Sequence, residues 1–100
     1  MASPQPRTLT TFLYEPRTNN NGHFSIPHGL GVQYPGGSWL IRGITVAVLH
    51  QNNNWHTLEF SNTVDNRFWW NDTIVEGTIF SPHFHNRPVQ IIVFAEWNPA

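Results

Sequence analysis

Val89-Gln90-Ile91-Ile92-Val93-Phe94-Ala95-Glu96 is the stretch that decides the fold. In an extended chain successive side chains point to opposite sides, so Val89, Ile91, Val93 and Ala95 share one face and Gln90, Ile92, Phe94 and Glu96 share the other. A helix would scatter the four small apolar residues around its circumference. Pro88 ahead of the run suits the start of a strand. The second such stretch, Ile44-Thr45-Val46-Ala47-Val48-Leu49, is the centre of a longer strand from Trp39 to His50 and is apolar on both faces, as expected in the middle of a sandwich.

Outward from these two, the chain divides into short runs rich in Val, Ile, Thr, Phe and Trp, separated by Asn, Gly, Pro and Asp. Strands are expected over 8–14, 23–26, 55–60, 67–70, 73–80 and 88–96. Asn21-Gly22, Tyr34-Pro35-Gly36-Gly37 and Asn52-Asn53-Asn54 carry the turn chemistry between them. In 55–60, His56, Leu58 and Phe60 alternate with Trp55, Thr57 and Glu59. In 73–80, Ile74, Glu76 and Thr78 alternate with Val75, Gly77 and Ile79. No segment keeps a helical period. The expected fold is all-β, an antiparallel β-sandwich of six to seven strands. Residues 1–7, with Pro4 and Pro6, form an N-terminal arm, residues 8–100 form a single domain, and the chain is expected to loosen after Trp97.

Composition narrows the function. Charged residues make up only 11% of the 100 residues, there is no lysine, and the net charge is −1, so a basic face for nucleic acid or anionic lipid is not expected. With no cysteine, disulfides and thiolate metal sites are excluded. The apolar runs are too short to span a bilayer as a helix. The first residues lack the basic and apolar regions of a signal peptide, so a soluble protein without membrane insertion is expected. The compartment is left open.

Two residue types are in excess. Five tryptophans are more than one small core hides, and Trp55, Trp69, Trp70 and Trp97 sit beside polar residues. Trp69 and Trp70 must point to opposite faces of a regular strand, so one belongs to the core and one does not. Exposed indoles can stack on the C–H face of a sugar while Asn, Asp and Arg bond its hydroxyls. The candidate ligand-binding residues are Trp55, Trp69, Trp70, Asn54, Asn71, Asp72 and Arg67; the competing reading buries the same rings in the core or between subunits. The six histidines include His83 and His85, whose spacing puts both imidazoles on one face of extended chain, as in some metal sites. No third ligand lies near them in sequence, although His28 or His56 could complete a site if the fold brought it close. No cofactor is expected. Scattered Ser25, Ser38, Ser61 and Ser81, and the carboxylates Glu59, Asp65, Asp72 and Glu76, show no catalytic spacing, so an enzyme is not expected.

Phe24-Ser25-Ile26-Pro27-His28-Gly29-Leu30, Ile41-Arg42-Gly43-Ile44-Thr45-Val46, Asn54-Trp55, Trp70-Asn71-Asp72-Thr73-Ile74 and Asn86-Arg87-Pro88-Val89-Gln90-Ile91 resemble small β-sandwich domains of bacteria and phages. The likeness covers most of residues 22–97 and implies uncharacterised or tail-associated relatives. In length, strand count and aromatic-plus-Asn surface the chain is also similar to the H-type lectins, although their cysteines are absent. That similarity implies a six-stranded sandwich that trimerises and binds N-acetylgalactosamine-like sugars near subunit contacts. Three readings follow. The first is a lectin-like carbohydrate-binding domain acting as a homo-oligomer whose avidity multiplies weak sites, with a glycan as partner. The second is a structural or assembly protein, such as a tail or virion component, with no small ligand. The third is a His-liganded metal protein.

Overall fold

The run Val89–Ala95 is the spine of the larger of two sheets. The structure, a computed structural model of the chain, describes residues 9–58 and 66–99. Within them lie seven strands: β1 (Leu9–Tyr14), β2 (His23–Pro27), β3 (Gly37–Leu49), β4 (Trp55–Leu58), β5 (Asn66–Trp70), β6 (Ile74–Ile79) and β7 (Val89–Pro99). A four-stranded sheet has the order β1-β7-β3-β4 and a three-stranded sheet the order β2-β6-β5; every pairing is antiparallel. The two sheets form an all-β sandwich. The expected arm at 1–7, and Thr8, Glu59, Phe60, Ser61 and Asp65, lie outside the described residues.

The alternation read in the sequence sets which side each strand buries. Val89, Ile91, Val93 and Ala95 of β7 are fully buried, as are Val46 and Val48 of β3. Val75 and Ile79 of β6 meet them from the other sheet, with Phe24 and Phe68. Each buried aliphatic side chain contributes roughly 1.5–3 kcal/mol. Gly77 lies between the two Phe rings, whose centroids are 5.9 Å apart. Trp70 packs against this core and Trp69 on the same strand is exposed.

Three details differ from the sequence reading. First, β3 and β7 occupy the inner positions of their sheet, yet only one side of β3 is covered, and Thr45 on the other side is exposed. Second, the register between β3 and β7 shifts at Arg42, so that Ile41 faces Ala95 and Gly43 faces Phe94. This one extra residue inverts the alternation: Ile44, Val46 and Val48 point to the core after it, and Trp39 and Ile41 point there before it. Third, the chain does not loosen after Trp97. β7 continues to Pro99 because Gly37, Ser38 and Trp39 pair with Pro99, Asn98 and Trp97, and the Trp39 and Trp97 rings meet edge to face at 5.1 Å.

The turns follow the chemistry of their residues. Gly22 holds φ +76° in close contact with the Ile79 carbonyl, which no side chain there would allow. Tyr34 and Gly37 exchange backbone hydrogen bonds of 2.8 and 3.1 Å around Pro35-Gly36. Asn53 adopts φ +66° in the turn that leads to β4.

Candidate functional site

β3 has 13 residues and β7 has 11, whereas β2, β6 and β5 have 5, 6 and 5. At about 3.4 Å per residue the long pair runs well past the short sheet. Toward this end the inward side of the sheet passes from the buried core, on which Phe12 and Trp39 still pack, to exposed Trp97. It carries a row of rings, Phe12, Trp39, Trp97 and Tyr34, with successive centroids 5.1, 5.1 and 6.1 Å apart.

Beneath that row a cleft of about 300 Å³ opens between the sheets, lined by Trp39 and Ile41 from β3, Trp70 from β5, and His28, Gly31, Asn71 and Asp72 from two loops. This volume is at the small end of the range for ligand sites. An adjoining recess of about 270 Å³, lined by Pro27, Gly29, Val32 and Thr73, shares Gly31 and Asp72 with it. The Asp72 side chain is exposed where the two meet.

The loops that carry these groups are fastened to each other. His28 is buried; its Nδ1 accepts a hydrogen bond from the Leu30 amide at 2.9 Å, so Nε2 carries the proton and donates to the Asn71 carbonyl at 2.7 Å. The His28 amide donates to the Thr73 carbonyl at 3.1 Å, and Gly31 packs directly on the Asp72 carbonyl. Tyr14 donates its hydroxyl to the His28 carbonyl at 2.6 Å, and Tyr34 donates to that of Gly29 at 3.3 Å. Burial, and secondarily the nearby Tyr34, raise the Tyr14 phenol above its ordinary pKa, which keeps it a donor. Asn71 Oδ1 accepts from the amides of Thr73 and Ile74 at 2.8 and 2.9 Å, which shapes the turn that presents Asp72.

The seven residues singled out in the sequence fall into three places. Trp70, Asn71 and Asp72 come together at the cleft. Trp69 and Arg67 lie on the outer face of the three-stranded sheet, with the Arg67 guanidinium 5.7 Å from the centre of the Phe80 ring. Trp55, preceded by Asn54, lies on the four-stranded sheet in a recess of about 350 Å³ with Glu15, Arg17, Pro88 and Gln90. Asn54 donates its amide to Asn52 Oδ1 at 3.0 Å, a turn contact. Trp39 and Tyr34 were not singled out, Trp97 was named only as an indole beside polar residues, and His28 only as a candidate third metal ligand. Trp39 and Trp97 did carry a signal, since each stands where an apolar strand meets polar neighbours.

His83 and His85 do not share a face, because Pro82–Phe84 forms a 3₁₀ turn rather than extended chain. His83 Nδ1 lies 3.0 Å from Gln51 Oε1, while His85 Nε2 lies 3.1 Å from the Ile79 carbonyl. His83 instead stacks on His50 at 4.9 Å, and His56 lies tilted against His50 at 5.1 Å. Stacked rings do not converge their nitrogens on one point, and among the described residues no three His, Cys, Asp or Glu side chains are grouped to hold a metal ion. No helix among them is long and apolar enough to cross a membrane. No protein family, curated protein or solved structure was found to match the chain.

Proposed function

We propose that this chain is a carbohydrate-binding domain that holds a short saccharide in the cleft between Trp39 and Trp70. One observation carries the reading: indoles from opposite sheets line a single cleft whose rim presents the exposed carboxylate of Asp72. An indole face against the C–H face of a pyranose, with a carboxylate accepting from its hydroxyls, combines apolar contact with directed hydrogen bonds. The Trp97 and Tyr34 rings continue the aromatic row from Trp39 on one side, and the recess beside Val32 can take a neighbouring sugar ring on the other. Asp72 is the one carboxylate lining the cleft among the described residues, whereas glycoside cleavage uses two, which favours binding over hydrolysis.

The test is retention on an array of mono- to tetrasaccharides. Asp72→Ala and Trp70→Phe should weaken retention about tenfold or more, since each removes an interaction of roughly 1.4 kcal/mol or above. Trp55→Ala and Trp69→Ala should leave it within about twofold, a change under roughly 0.5 kcal/mol. Loss confined to Trp55→Ala would move the site to the recess with Glu15 and Arg17. An array that retains no sugar on the unaltered protein would overturn the reading.

A further inference from the structure

We propose that the outer face of the four-stranded sheet is the contact through which two copies of this chain associate, sheet against sheet. The two outer faces of the sandwich differ in kind. That of the three-stranded sheet carries His23, Ser25, Arg67, Glu76 and Thr78 around Trp69, with His23 and Glu76 paired at 2.9 Å. This is the ordinary solvated side of an antiparallel sheet. The opposite face carries Leu9 and Leu13 on β1, Ile92 and Phe94 on β7, and Trp55 on β4. Leu9, Leu13 and Trp55 are 47%, 58% and 46% exposed. Leu13 stands directly opposite Ile92, and Thr11 opposite Phe94, so the apolar side chains are contiguous across strands rather than scattered singly.

Size and charge point to a second copy as the occupant. Strands of 6, 11, 13 and 4 residues, taken in order across the sheet, cover roughly 550 Å² in plane at about 3.4 by 4.8 Å per residue. Side-chain relief raises this toward the ~800 Å² per partner of a stable interface. Among the described residues the charges on the face and at its Trp55 edge are Arg42 with Glu96, 3.2 Å apart, and Glu15 with Arg17, two of each sign. A neutral surface needs no charge complement and can meet itself across a two-fold axis, and a net charge of −1 per chain opposes that little. A lipid surface would call for a basic rim, whereas the two guanidinium groups here are matched by two carboxylates. The interface leaves the cleft at Trp39 and Trp70 on the inward side of the sheet, so a pair would offer two sites at once.

Light scattering after gel filtration, at high micromolar concentration, tests this on the full chain. The unaltered protein should show twice the 11.5 kDa chain mass. Leu13→Arg and Ile92→Arg, separately and together, should give the single-chain mass with unchanged far-UV circular dichroism, since both side chains are already exposed. Trp69→Arg on the other sheet should stay paired. A single-chain mass for the unaltered protein, a mass above two chains, or a pair that survives the double change would each overturn the proposal. Saccharide affinity of the same variants is scored with dissolved monovalent saccharide, where pairing adds no avidity, so either reading can fail alone.

Discussion

The imidazole of His28 donates to the Asn71 carbonyl at 2.7 Å and thereby ties the loop after β2 to the turn between β5 and β6. The ring is buried and satisfied at both nitrogens, so its loss strands the Asn71 carbonyl and the Leu30 amide. At about 1–3 kcal/mol for each of these two unpaired groups, His28→Ala should cost roughly 2–6 kcal/mol. Urea unfolding followed by tryptophan fluorescence reads this directly. An unmoved midpoint with an unchanged slope would contradict the role given to this ring.

Gly31 and Gly29 separate packing from backbone strain in one loop. A Cβ on Gly31 would overlap the Asp72 carbonyl, so Gly31→Ala must push the two loops apart and should abolish saccharide retention. Gly29 has φ +71° and open space around it, so Gly29→Ala carries only left-handed strain, about 1–2 kcal/mol, and should keep retention. The comparison requires both variants to be assayed below their unfolding temperatures.

Gly77 has no room for a side chain in the core. A Cβ there would overlap the Phe68 ring and come within 3.0 Å of Phe24 Cζ, with the Arg67 carbonyl at 2.9 Å. Overpacking of this kind costs about 1–3 kcal/mol, which for a domain of this size lowers the melting temperature by roughly 4–24 °C. Thermal unfolding of Gly77→Ala followed by circular dichroism is the measurement.

His50 gives the protein an acid-side sensitivity. Desolvation of its ring, followed by the imidazoles of His83 and His56 and the Arg87 guanidinium, lowers its pKa below the ordinary 6.5, while its bond with Asn52 opposes the shift. A depressed histidine pKa means that the unfolded chain takes up the proton first. This contribution to stability is therefore complete above about pH 6.5 and is lost as pH falls through the folded value. The urea midpoint should fall between pH 7 and pH 5, and His50→Gln should flatten that part of the profile. A slope unaffected by the substitution would assign the sensitivity elsewhere.

Much of the fold was legible because a strand has a period of two. Val89, Ile91, Val93 and Ala95, and likewise Val75, Gly77 and Ile79, announced their buried side by alternation alone, and the Asn and Gly steps marked the turns. The same rule required Trp69 and Trp70 to part, but only packing could decide that Trp70 is the one turned inward. The bulge at Arg42 left no comparable mark. One extra residue changes the phase of β3, and without it Trp39 would be assigned to the wrong side. Trp70, Asn71 and Asp72 were legible as a group because they are contiguous. His28 and Trp39 join them only through the sheet order, which no local pattern reports.

The overhang of β3 and β7 divides the molecule into a part that must stay as it is and a part that can be rewritten. Val46, Val48, Ile91 and Val93 are locked into the core, whereas Trp97, Asn98, Tyr34 and Val32 are exposed beyond it, with Trp97 and Tyr34 meeting each other's rings and Trp97 that of Trp39. Diversifying those four positions should leave the sandwich standing while changing what it recognises, so the chain can serve as a scaffold for selecting new binders at one end.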